Sequence, residues 1–141
     1  MKTSARNQFS GEVTGVTHGA VNDEVTLRTA DGLEIVAIIT HGSAMSLGLA
    51  TGKQAFALVK ASSVIVMVDV ARQQLSARNC IEGTVAAVTK GAVNSEVTIS
   101  AGGAQIAAII TNDSVERLGL ASGKKATAVF KASSVIIGVD Q

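Results

Sequence analysis

Three short clusters in this chain could do chemistry, and each of them occurs twice. Ser4-Ala5-Arg6-Asn7 returns as Ser76-Ala77-Arg78-Asn79, Lys60-Ala61-Ser62-Ser63 as Lys131-Ala132-Ser133-Ser134, and Gly19-Ala20-Val21-Asn22 as Gly91-Ala92-Val93-Asn94. An arginine offers a planar fork of donors and keeps its charge at any working pH. Taken alone, Arg6 or Arg78 is more simply a surface salt-bridge partner. Lys60 and Lys131 each precede two hydroxyls, and a break in the strand there would add the backbone N–H groups of Ala61 and Ser62. Serine in an ordinary turn explains that pattern equally well. Gly19 could admit an unusual backbone angle, and successive N–H groups in such a bend make an anion-binding nest. A tight loop between strands is the simpler reading of that cluster by itself.

Together the clusters supply guanidinium, ammonium, hydroxyl, amide and backbone N–H, with few acceptors. A dianion that is fully deprotonated at neutral pH, such as sulfate, molybdate or tungstate, suits such a site. Phosphate is partly protonated there and wants an acceptor for its own O–H. Burying an anion is costly unless its oxygens find donors, and a site between subunits would gather donors from several chains. The residues leave sulfate and molybdate both open.

Other chemistries find less support. His18 and His41 are matched by Lys90 and Asn112 in the second copy, so a histidine-based catalytic set could exist only once. No catalytic residue is assigned, and both histidines are expected at the surface or at an interface. No cysteine pair or histidine cluster has metal-ligand spacing, so no cation site is expected. Cys80 replaces Gln8 and reads as a small apolar residue. The glycines match neither a P-loop nor a dinucleotide fingerprint. A net charge of +1, with no Trp, no Tyr and only three Phe, argues against a nucleic-acid binder that works by charge and stacking. No secretory leader and no apolar run of membrane-spanning length is read, and a single cysteine fits the cytoplasm.

The elements that must position these groups follow from the duplication. Over residues 4–31 and 35–69, 37 of 63 positions are identical between the copies. The domains are expected at 1–70 and 71–141. A copy of that size is only marginally stable alone and would gain from packing on its twin or on other chains. Within a copy, five short strands are read at Phe9 to Val16, Glu24 to Arg28, Glu34 to Thr40, Ala55 to Lys60 and Val64 to Asp69, with a turn at Ala30-Asp31-Gly32. Residues 112–120 read as a short helix, with Asp113 as N-cap, Glu116 completing a capping box and Gly119 at the C-terminal end. The expected class is all-β: two tandem OB-fold-like five-stranded barrels, each with one short helix.

The same clusters carry a family resemblance. Ser-Ala-Arg-Asn, Gly-Ala-Val-Asn-x-Glu-Val, Ile-Thr, Leu-Gly-Leu and Lys-Ala-Ser-Ser-Val-Ile, met in that order and twice over, resemble the molybdate-binding domain of the molbindins in its two-domain form. The resemblance implies non-enzymatic, cytoplasmic binding of molybdate for molybdenum storage and homeostasis, with tungstate as a mimic and molybdenum present only as the oxyanion. It implies a homo-oligomer, a trimer of tandem chains supplying six domains, that binds neither nucleic acid nor membrane. It implies interface sites using Ser4, Arg6, Lys60, Ala61 and Ser62, and Ser76, Arg78, Lys131, Ala132 and Ser133. A second class of site would use Val21 and Asn22, with Val93 and Asn94. The alternative is a molybdate-responsive sensor acting through a protein partner.

Overall fold

The computed structural model describes residues 1–140. The expected class is observed: the chain is mostly strand, in two five-stranded sheets, each with one short helix. In order these are β1 (Asn7–Thr17), β2 (Asn22–Thr29), β3 (Glu34–Thr40), α1 (His41–Ser46), β4 (Gln54–Val59) and β5 (Ile65–Met67). The second repeat gives β6 (Asn79–Lys90), β7 (Asn94–Ala101), β8 (Ala104–Thr111), α2 (Asn112–Leu118), β9 (Lys125–Phe130) and β10 (Ile136–Gly138). No helix among the described residues is long and apolar enough to cross a membrane.

The strands form where apolar residues alternate with polar ones. Along β2, Asp23, Val25, Leu27 and Thr29 are buried while the residues between them are not, and β7 repeats this at Ser95, Val97, Ile99 and Ala101. Period-two alternation sends one set of side chains to a single face. In the first sheet that face meets Val13, Ile35, Ala37, Ala57 and Val59, and in the second Val85, Ile106, Ala108, Ala128 and Phe130, all within 1% of complete burial. Burying a branched aliphatic side chain contributes about 1.5–3 kcal/mol, and with Phe9, Phe56 and Phe130 these residues build the core without tryptophan or tyrosine.

The compact units do not follow the sequence repeat. Among the described residues, one consists of 1–59 with 131–140, the other of 60–130. The first sheet runs β10-β4-β1-β2-β3 and the second β5-β9-β6-β7-β8, so each takes its fifth strand from the other repeat. Side-chain size matches this exchange. Gly138 pairs with Phe56, while Met67 pairs with Thr127. A Cβ at Gly138 would overlap the Phe56 ring. Pairing within a repeat would set Met67 against Phe56 and leave Gly138 facing Thr127, too crowded in one sheet and too empty in the other. Strand β5 is also shorter than read from sequence, because the chain bends at residues 68–69, where Asp69 takes a positive φ of 55°.

Helix α2 begins at Asn112, where the reading from sequence starts it, but its cap is Thr111 rather than Asp113. Thr111 Oγ1 accepts the Ser114 N–H at 3.1 Å, and Thr40 does the same for Ser43 at 3.1 Å in α1. A cap must precede the first helical residue, so Asp113 instead lies in the first turn, 3.8 Å from Arg117. Gly119 closes the helix in the left-handed conformation, as expected.

Gly138→Met should lower thermal stability, since overpacking of this kind costs about 1–3 kcal/mol. Adding Phe56→Thr copies the pairing of the other sheet and should recover most of the loss. Calorimetric unfolding of both variants is the check, and a Gly138→Met chain as stable as the parent would refute the size-matching account.

Candidate functional site

The lysine clusters lie where strands β4 and β9 end. The chain leaves each through a single 3-10 turn, Ala61–Ser63 or Ala132–Ser134. Ser63 donates its N–H to the Lys60 carbonyl at 2.9 Å, and Ser134 donates to Lys131 at 2.9 Å. The inward alanines, Ala61 and Ala132, are buried, which anchors the turn and leaves Lys60, Ser62, Lys131 and Ser133 exposed. The first N–H groups of such a turn have no carbonyl within it to bond. Ala61 and Ser62, like Ala132 and Ser133, therefore present backbone donors beside a hydroxyl and an ammonium.

The arginine clusters lie at the starts of β1 and β6. Asn7 and Asn79 are buried and pair with Val59 and Phe130, the residues just before the two lysines. Asn7 Nδ2 donates to the Val59 carbonyl at 3.2 Å. In each Ser-Ala-Arg-Asn cluster the asparagine is thus the structural member, and Ser4, Arg6, Ser76 and Arg78 stay exposed. One compact unit holds Ser4 and Arg6 with Lys131, Ala132 and Ser133; the other holds Ser76 and Arg78 with Lys60, Ala61 and Ser62. The turn at 132–134 packs on β3 in the first unit, and the turn at 61–63 packs on β8 in the second.

The glycine loops differ from expectation. Neither Gly19 nor Gly91 has a positive φ. Glycine is required by close approach instead, since a Cβ at either would overlap the carbonyl oxygen of Asn22 or Asn94. Their N–H groups are not open to an anion. Gly91 donates to the Asn94 carbonyl at 2.8 Å, and Gly19 to Asp23 Oδ1 at 3.1 Å. The loop tips themselves project, with Val21 74% and Val93 70% exposed. The Val21 and Val93 carbonyls are tied down by the N–H groups of His41 and Asn112, at 2.9 Å each.

The structure also assembles a group that the sequence reading dismissed. The two histidines, 23 positions apart, converge on Asp23, whose side chain is fully buried. His18 Nδ1 lies 2.7 Å from Asp23 Oδ2, and His41 Nδ1 lies 3.0 Å from both carboxylate oxygens. The rings meet edge to face at a centroid distance of 5.2 Å. The expectation that no histidine cluster exists is therefore corrected: strand pairing of Asp23 with Ile39 brings the two segments together. Burial pushes the Asp23 carboxyl up, but the hydrogen bonds from His18, the Gly19 N–H and His41, with the charge of His41, outweigh it and hold the group below its ordinary value. In the second repeat Ser95 donates to Asn112 Oδ1, and Asn112 Nδ2 donates to the Gly91 carbonyl at 3.0 Å. A neutral chain there closes the same loop that a carboxylate and two imidazoles close in the first. The alternation of β2 carried the signal, because extending it back from Leu27 and Val25 places Asp23 inward.

Comparison with known proteins gives a consistent picture. The TOBE domain family model matches residues 3–66 and again 75–137. The chain is 48% identical over 142 residues to the molybdenum transport protein ModE of Herbaspirillum seropedicae, covering 100% of this chain and 53% of that protein. It is 47% identical over 140 residues to the molybdenum-pterin-binding protein MopA of Rhodobacter capsulatus, covering 99% of this chain and 53% of that one. The chain thus spans about half the length of these relatives. Among solved structures, the cytoplasmic molybdate-binding protein ModG with molybdate bound superposes with a TM-score of 0.94, at 47% identity over 99% of both chains.

Asp23→Ala should lower the unfolding midpoint by several degrees, because His18, the Gly19 N–H and His41 lose their common acceptor. Asp23→Ser with His41→Asn, which copies the second repeat, should recover most of it. Thermal unfolding followed by circular dichroism reads both, and a double variant no better than Asp23→Ala would contradict the equivalence of the two closures.

Proposed function

The chain belongs to the TOBE domain family, which it carries twice in tandem, and from that premise we propose that it binds molybdate in the cytoplasm as a store that buffers molybdenum supply. The observation that carries this reading is the likeness, over 99% of both chains, to a protein solved with molybdate bound. Tungstate, of the same charge and shape, is a competing ligand. The protein holds the oxyanion and does not turn it over.

The residues support the reading on physical grounds. A tetrahedral dianion leaving water needs several donors for its oxygens. Each lysine turn offers a side-chain ammonium, a serine hydroxyl and two backbone N–H groups at one point, and the turn occurs twice. Arg6 and Arg78 add charge-assisted, bidentate donors. The proposed sites use Ser4, Arg6, Lys60, Ala61 and Ser62, with Ser76, Arg78, Lys131, Ala132 and Ser133. The exposed loop tips at Val21-Asn22 and Val93-Asn94 form the second class of site, completed by neighbouring chains. The domains run 1–70 and 71–141 as evolutionary repeats, while the fifth strands are exchanged.

Self-association completes these sites. Ile136 is 60% and Ile65 56% exposed on the short fifth strands. An apolar groove of about 600 Å³, lined by Ile39, Leu47, Val135 and Ile137 among others, lies beside Ile136 in the first unit. Apolar surface of this kind marks association surfaces, and three tandem chains would supply six domains.

Lys60→Ala combined with Lys131→Ala should weaken molybdate binding at least about tenfold while leaving the fold intact. Isothermal titration decides it, and unchanged affinity would reject the assignment of these turns. Light scattering on the purified chain should give the mass of a trimer; a monomer at all concentrations would rule out shared sites.

A further inference from the structure

We propose that His18, Asp23 and His41 form a binding site for a divalent transition-metal ion of the zinc type, present in the first repeat and missing from the second. The inference stands apart from the oxyanion reading and would survive its failure.

The donor atoms are already gathered. Two imidazole nitrogens and a carboxylate oxygen lie within 4.8 Å of one another. The two nitrogens sit 2.7 Å and 3.0 Å from Asp23 Oδ2. Ligand atoms around tetrahedral zinc stand about 3.4 Å apart, given bonds of about 2.0–2.1 Å. Each nitrogen therefore has to stand about 0.4–0.7 Å farther from Oδ2, the two nitrogens already lie within 4.8 Å of each other, and the rings have room to adjust. His18 is in the loop after β1, His41 is the first residue of α1, and their side chains are 55% and 43% exposed. That exposure leaves the remaining coordination positions to water. Asp23 is fixed on β2, and the Gly19 N–H holds its Oδ1, which is the outer hydrogen bonding a metal-binding carboxylate requires. Two imidazoles with one carboxylate select a borderline transition ion over calcium or magnesium, which prefer all-oxygen sets.

Loop closure alone does not account for this group. Burying an ionised carboxylate is unfavourable unless it is paired, and the second repeat closes the equivalent loop with the neutral pair Ser95 and Asn112. Only the first repeat keeps a buried carboxylate there, with two ligand side chains around it. Binding needs no redox step. A neutral imidazole that coordinates through Nδ1 carries its single proton on Nε2 instead, and an imidazolium releases one proton to solvent.

The test uses the full, untagged chain in a non-coordinating buffer and Zn2+ alone as the probe. Calorimetric titration should show about one strong site per chain, of micromolar Kd or tighter. Co2+ should give visible d–d absorption that Zn2+ abolishes. The variant His18→Lys with Asp23→Ser and His41→Asn writes the second repeat's residues into the first. It should bind Zn2+ at least about tenfold more weakly and give no Co2+ bands. If that variant fails to fold, His41→Asn alone should show the same loss. A parent chain that takes up no Zn2+ at about 100 µM would overturn the proposal. So would equal affinity and stoichiometry in parent and variant.

Discussion

The fifth strand of each sheet sets one large residue opposite one small one, Phe56 opposite Gly138 in one and Met67 opposite Thr127 in the other. Each repeat has four strands of its own and a three-residue fifth strand that pairs in the other unit. Three ladder positions provide few hydrogen bonds, so the choice of partner falls to packing. A protein interior tolerates neither an overlap nor a void of one side chain. Exchange satisfies both sheets at once. It also ties the repeats together through two crossings of the backbone, which a short and unremarkable connecting segment could not do by itself.

That exchange places the chemistry. The lysine turn leaves β4 or β9 and leads directly into the exchanged strand, so each turn packs in the unit that receives the strand. Arginine from one repeat and lysine from the other consequently share a compact unit. The donors themselves need little engineering. A 3-10 turn frees its first N–H groups by its own geometry, a buried alanine anchors it, and flanking exposed lysine and serine complete a cluster in which nearly every group donates. Such a cluster has little use for a protonated ligand and suits one that offers only acceptors.

The two repeats solve loop closure with different chemistry. The loop between β1 and β2 is tied by a buried carboxylate that receives His18, His41 and the Gly19 N–H, whereas its twin uses Ser95, Asn112 and a backbone carbonyl. The donation from residue 41 or 112 to the loop-tip carbonyl is common to both, whereas the glycine N–H goes to the Asp23 carboxylate in the first loop and to the Asn94 carbonyl in the second.

Much of this was legible in the chain alone. The duplication, the all-β class and the strand positions follow from identity between repeats and from alternation with period two, since both are local properties. Asp23 was legible too, as the inward phase of β2, but the histidines that meet it were not, because their convergence depends on strand pairing across 18 residues of chain. The role of Gly19 was misjudged for a related reason: its crowding comes from the Asn22 carbonyl in the folded loop, not from a demand on its own φ. The exchange of fifth strands lay beyond the sequence reading because the repeats are alike enough to make either pairing plausible. Only the tertiary structure decided it, through the fit of one ring against one absent side chain.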